Sequence, residues 1–194
     1  MIGIFSLHFF YEGITAQAIN ETTENARNKF SSVLAVTDKE ETQTAATTFP
    51  KFEYEKKPDE MVGVISIPSV GIENAIFYGA SNEELLEKGV AITERSTENV
   101  TIILGHNYEH STNPEKAKSM FSELPNAKIG DTVMVNNTHY TITNAFRVLE
   151  KEYEADDWAY VDNYLLNLST DLILITCKNE DERGRWIVLC DFSE

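Results

Sequence analysis

Leu172-Ile173-Leu174-Ile175-Thr176-Cys177, followed after a short polar gap by Arg185-Trp186-Ile187-Val188-Leu189, decides how this chain is read. Both runs are apolar, rich in β-branched residues and bounded by polar ones, and both are too short for a helix, so they read as strands. Working outward, the same texture recurs. Strands are predicted at 62–67, 73–78, 99–104, 131–135 and 139–149, and the two deciding runs give 171–177 and 185–191. Asn136-Asn137 separates two of them as a tight turn, because Asn tolerates the left-handed backbone that such turns require; 131–149 is therefore a hairpin. Ser81 followed by Glu84 reads as a capping box, and Leu85, Leu86 and Gly89 complete a short helix over 82–88. A helical turn over Lys118–Leu124 would bury Met120, Phe121 and Leu124. Many short strands with isolated helical turns predict an all-β fold with short helices, a small barrel or sandwich.

The first 57 residues differ in texture and read as an N-terminal appendage, with the domain proper at 58–194. Residues 2–11 (IGIFSLHFFY) are apolar, fall short of the roughly 20 residues a membrane helix needs, and are preceded by no Lys or Arg. Ala16-Gln17-Ala18 has the small-residue spacing of a signal-peptidase site. A secretion signal, a truncated anchor and an apolar helix packed on the domain all fit this segment. From Asn20 to Lys57 the composition is that of a linker or stalk with one short helix near Phe30, Val33 and Leu34. It predicts that residues 1–57 can be removed without loss of activity.

Charge and composition narrow the function classes. Sixteen basic against thirty-two acidic side chains give a net charge of −16, a field that repels nucleic acid and anionic membrane surfaces. An apolar fraction of 42% with eight Tyr, ten Phe and two Trp excludes a disordered chain. The two cysteines, Cys177 and Cys190, form neither a disulfide framework nor a C-x-x-C pair.

Three polar residues sit at or beside strand ends: His106 after Thr101–Gly105, Cys177 closing its strand, and Arg185 opening the last one. A cysteine becomes a nucleophile beside a histidine that favours the thiolate and later protonates a leaving amine. A nearby guanidinium, always charged, offers fixed donors to an oxyanion or to substrate carbonyls. Singly, the three also fit a small core residue, a satisfied imidazole and a solvated charge; jointly they make a chemically complete set for acyl transfer.

Residues 62 to 190 resemble, in order, the sortase family of Gram-positive cysteine transpeptidases. The resemblance runs through Gly63-Val64-Ile65-Ser66-Ile67-Pro68, Ile72, Tyr78-Gly79, Leu86 with Gly89-Val90, Ile102-Ile103-Leu104-Gly105-His106-Asn107, Phe121 with Leu124, and Gly130-Asp131. It ends in Leu172–Cys177, similar to the family's Thr-Leu-x-Thr-Cys signature, and in Arg185 on the last strand. The resemblance implies an eight-stranded sortase-type β-barrel. It further implies that Cys177 forms a thioester with the Thr carbonyl of a C-terminal sorting signal on a secreted protein, and that an amine of peptidoglycan or of a pilin resolves it. His106 is then the general acid and base, Arg185 the oxyanion and carbonyl binder, and Thr176 a substrate-orienting residue.

One amide is exchanged for another, so no cofactor is implied. The expected location is the outer face of a Gram-positive cell membrane, with membrane contact only through an N-terminal anchor if there is one. A thiol peptidase hydrolysing the same thioester and a non-catalytic surface binding module with this fold are the alternatives. Arg183 is the rival to Arg185, and Cys190 reads as a packed core residue. No metal site is expected: Glu94 and Glu98 are too few for calcium, which takes about six oxygens or more, and His106 with His110 has only residue type in its favour. The segment 151–169, with Trp158, Tyr160, Tyr164 and Leu165, corresponds to the family's specificity loop and either walls the peptide or packs the barrel.

Overall fold

Eight strands close on themselves in the computed structural model of the chain, which describes residues 52–80, 82–149, 165–177 and 184–193. They are β1 (Met61–Ile67), β2 (Ile72–Tyr78), β3 (Val90–Ile92), β4 (Thr101–Gly105), β5 (Thr132–Val135), β6 (Thr138–Leu149), β7 (Leu172–Cys177) and β8 (Gly184–Phe192). The order around the closed barrel is β1-β2-β3-β4-β7-β8-β6-β5. Pairing is antiparallel except at β2/β3 and β4/β7, which run parallel. The predicted all-β barrel is therefore the observed architecture, and the sandwich is not.

The barrel is filled along alternate residues. In β1, Ile65 and Ile67 are fully buried while Val64 and Ser66 are half-buried, the period-two pattern of a strand with one face on a core. The interior joins these to Ile76, Ile92, Ile103, Val133, Tyr140, Leu172, Leu174, Val188 and Cys190. Each large aliphatic side chain so buried contributes about 1.5–3 kcal/mol. A second apolar cluster lies on the opposite face of the same strands: Ile102, Ile173, Ile175, Ile187 and Leu189 pack with Val100, Val148 and Leu165. Because β7 and β8 are covered on both faces, they read as continuous apolar runs instead of alternating ones. That is why those runs were the clearest signal in the sequence.

Several local expectations shift. β3, Val90–Ile92, is three residues long and is not among the seven strands that the sequence predicts. The predicted helix contracts to α1 (Glu83–Leu86), and its N-cap is Asn82, whose Oδ1 accepts a hydrogen bond from Glu84 N at 3.1 Å. Ser81, the expected cap, lies outside the described residues. The turn expected over 118–124 is broken into 3₁₀ turns at Lys116–Lys118 and Leu124–Asn126, yet Met120, Phe121 and Leu124 are buried as anticipated. The β5–β6 hairpin turns at Asn136, with φ of 53°.

Two aromatic residues on the appendage side of residue 58 belong to the barrel's packing. Phe52 joins the interior cluster, and its ring stacks on Tyr54 at 5.4 Å, which in turn meets Tyr78 at 5.9 Å. Residues 2–11, the Ala16-Gln17-Ala18 site and the predicted helix near Phe30 fall outside the described residues, as do Trp158, Tyr160, Tyr164 and Arg183. Among the described residues no helix is long and apolar enough to cross a membrane.

Candidate active site

Two strand registers assemble the site. In the parallel β4/β7 ladder Gly105 lies opposite Thr176, so His106 and Cys177 are the next residues along two neighbouring strands, whose spacing is about 4.8 Å. In the antiparallel β7/β8 ladder Cys177 lies opposite Arg185. His106, Cys177 and Arg185 thus meet at one end of three adjacent strands. Thr176 and Trp186 form the preceding pair, and Trp186 packs against the barrel interior, so Cys177 and Arg185 project to the outer face. The half-exposed Cys177 stands at the end of the apolar floor made by Ile175 and Ile187.

Thr176 is 2% exposed and its hydroxyl donates to Gly105 O at 2.8 Å. That bond ties β7 to β4 from the interior side. Asn107, buried, spans the same gap one step further on: its Nδ2 donates to Cys177 O at 2.8 Å, and its Oδ1 accepts from Glu109 N at 2.9 Å. In the sequence Asn107 stands out only as the neighbour of His106, and nothing in its residue type marks it as a tie between strands.

The His106 segment is held from behind by Phe121. Phe121 N donates to His106 O at 3.0 Å, and its ring lies flat against Gly105, where an added Cβ would come within 2.7 Å of Phe121 Cδ2. Glycine at 105 is required by that close approach. Met120, the residue before, holds a φ of 52°, a region sparsely populated by residues with side chains. The buried amide of Asn74 fixes it there, donating to Met120 O at 3.0 Å. The imidazole of His106 faces the Tyr108 ring at 5.2 Å, and Lys116 Nζ sits 4.5 Å from the centre of that ring.

Glu83, at the start of α1, places Oε1 2.9 Å from His106 Nε2, without the alignment of a hydrogen bond. The carboxylate is well exposed, so water weakens the pair. Ligand atoms of Glu83, Glu87 and His106 lie within 4.8 Å of one another. This grouping differs from the pairs weighed in the sequence, Glu94 with Glu98 and His106 with His110. A cation bound there would occupy the imidazole nitrogen and remove it from proton transfer.

The other cysteine is placed apart. Cys190 is fully buried in the barrel interior opposite Leu172, five residues from Cys177 along β7 and hence about 17 Å away. Burial, with a smaller contribution from Asp191, pushes its thiol far up, away from the reactive thiolate form. Both cysteines are free. Leu165, from the expected specificity loop, is fully buried against the outer cluster, which favours packing for that residue.

Comparison with known proteins bears on the family and the fold. The chain is 25% identical over 139 residues to Sortase A of Bacillus anthracis, a match spanning 68% of this chain and 60% of that protein. A Clostridium perfringens Sortase D5 transpeptidase superimposes with a TM-score of 0.56 at 19% identity, covering 92% of this chain and 99% of that one. A Clostridium perfringens sortase C, solved with the C-terminal cell wall sorting motif, gives 0.53 at 17% identity, covering 99% and 100%. At such identities the structures speak for the fold alone, and the barrel is theirs. The sortase-domain family model matches residues 65–193, from β1 through the strand bearing Arg185, so the chain belongs to the sortase family.

Proposed function

We propose that this protein is a cysteine transpeptidase acting on C-terminal sorting signals of secreted proteins. The observation that carries the reading is the pair of registers that sets Cys177 beside Arg185 and, through Gly105 and Thr176, beside His106. Cys177 Sγ attacks the Thr carbonyl of the signal, and Arg185 stabilises the oxyanion with its fixed donors. The scissile C–N bond breaks as His106 gives a proton to the leaving amine, leaving a thioester on Cys177. An acceptor amine then attacks the thioester and passes its proton to His106. The new C–N bond forms as the C–S bond breaks, and the thiolate is restored. Thr176, buried and bonded to Gly105, serves the peptide by fixing the backbone beside the nucleophile.

The acceptor is an amine of peptidoglycan or of a pilin, and the enzyme works at the outer face of the cell membrane of a Gram-positive bacterium. The catalytic domain is 58–194 together with the Phe52 and Tyr54 side chains that pack onto it, and the residues before them form the appendage. No cofactor is required, since each amide bond broken is replaced by another. Support for the substrate class comes from family membership and from the related sortase C solved with a cell wall sorting motif.

The test is mass spectrometry of the protein incubated with Leu-Pro-x-Thr-Gly and Asn-Pro-x-Thr-x peptides, with and without a glycine-like amine. An adduct on Cys177 and an amine-dependent ligation product are expected. Equal release of acid product in both conditions would make it a hydrolase, and absence of any adduct with intact folding would sink the reading.

A further inference from the structure

We infer that Asn107 is a positioning residue that sets His106 against Cys177, its side chain replacing the next rung of the β4/β7 ladder. This rests on the proposed reading in which those two residues react together. Main-chain pairing between the strands ends at Gly105 and Thr176, one residue short of both reacting groups. Past that point the strand ends would be free to part. Asn107 prevents it: Nδ2 donates to Cys177 O at 2.8 Å across the gap, and Oδ1 takes the N–H of Glu109 at 2.9 Å in the loop that follows β4.

The carbonyl of His106 is fixed independently by Phe121 N at 3.0 Å. His106 therefore lies between Gly105, tied to Thr176 Oγ1, and Asn107, tied to the nucleophile's own carbonyl. The residue type fits the task closely. One short side chain must give a donor to a carbonyl and an acceptor to an N–H, which an amide does and a carboxylate, with acceptors only, does not. The two partners also settle which end of the amide is nitrogen, because the reverse orientation loses both bonds. With Asn107 8% exposed, water is a poor substitute.

The experiment compares the full-length protein with its Asn107→Asp and Asn107→Ser variants. Asn107→Asp keeps size and the acceptor to Glu109 but sets an acceptor against Cys177 O. Both variants are expected to lower kcat for peptide cleavage about 10- to 100-fold, the scale of a misplacement near 1 Å, while KM stays within about twofold. Rates are taken per folded molecule by circular dichroism, at a temperature where each variant is folded. If Asn107→Asp does not fold, Asn107→Ser decides.

An unchanged kcat per folded molecule in the variant that folds overturns the inference. Iodoacetamide alkylation of Cys177 supplies a readout without substrate, with His106→Ala as reference. If His106→Ala slows alkylation and the Asn107 variants do not, this inference alone has failed. If His106→Ala changes neither alkylation nor turnover, the pairing of His106 with Cys177 has failed, and the inference falls with it.

Discussion

Cys177 and Arg185 stand opposite each other as the last pair of the β7/β8 ladder, so thiol and guanidinium share one face of the sheet. Replacing Arg185 by Lys keeps the charge but loses the planar fork of donors. Turnover of a sorting peptide should fall about 10²- to 10³-fold, the scale of a lost oxyanion donor. Steady-state kinetics check this, and near-normal turnover would move the role to Arg183.

Cys177→Ala removes the proposed nucleophile from a half-exposed strand end, so stability should change by less than about 0.5 kcal/mol. The acyl-enzyme adduct should vanish in the mass spectrum while the urea melt stays in place. An adduct persisting in this variant would mean that another residue is the nucleophile.

Gly105→Ala introduces a Cβ within 2.7 Å of Phe121 Cδ2 and 2.9 Å of Val90 Cγ1. Both neighbours are packed in the barrel interior, so the substitution should destabilise by about 1–3 kcal/mol. Phe121 also holds the His106 carbonyl, and activity should drop at temperatures where the variant is still folded. Urea denaturation paired with an activity assay distinguishes the two effects.

Phe52→Ala in the full-length protein should lower stability by about 3–5 kcal/mol, the range for emptying a buried aromatic site. A truncation beginning at residue 58 should lose at least as much, whereas one beginning at residue 52 keeps the aromatic stack. Thermal melts of the three proteins test this against the simpler expectation that everything before residue 58 is dispensable.

Acid should weaken the barrel at the entrance to β5. Asp131 Oδ2 accepts from Lys128 N at 2.9 Å and Ser69 Oγ at 2.7 Å, and these bonds hold its carboxyl below the usual carboxylate range. A carboxyl lowered on folding adds stability above its unfolded pKa and loses it as pH falls through the folded value. Melting temperature should therefore decline from about pH 5 downward, and Asp131→Asn should show a shallower decline. Equal slopes for the two proteins would remove Asp131 from the account.

Seven of the eight strands are legible because each carries a β-branched run, and the meeting of His106, Cys177 and Arg185 at one end of β4, β7 and β8 follows from polar side chains placed at the ends of those runs. β3 was not, because three residues between a helix exit and a polar turn give no period to detect, and its strand character comes from β2 and β4 on either side. The N-terminal cap of α1 lies one position beyond the one the sequence predicts, since Ser81 and Asn82 are both capable caps and only the backbone decides between them. Glu83 and Asn107 gained their places beside the site through tertiary contacts that no spacing in the chain announces. Phe52 was assigned to a linker because its polar neighbours hide one aromatic ring that fills the barrel.

The hydroxyl of Thr176 reaches Gly105 across 71 residues of chain, and the parallel β4/β7 ladder it supports is a contact of that same range. Contacts so distant in sequence form late, because the intervening loop must close before they reward the chain. Cys177 and His106 therefore meet only when the barrel is nearly complete. A half-collapsed chain carries a thiol at residue 177 with no imidazole beside it, so under the proposed function activity would itself report that folding has finished.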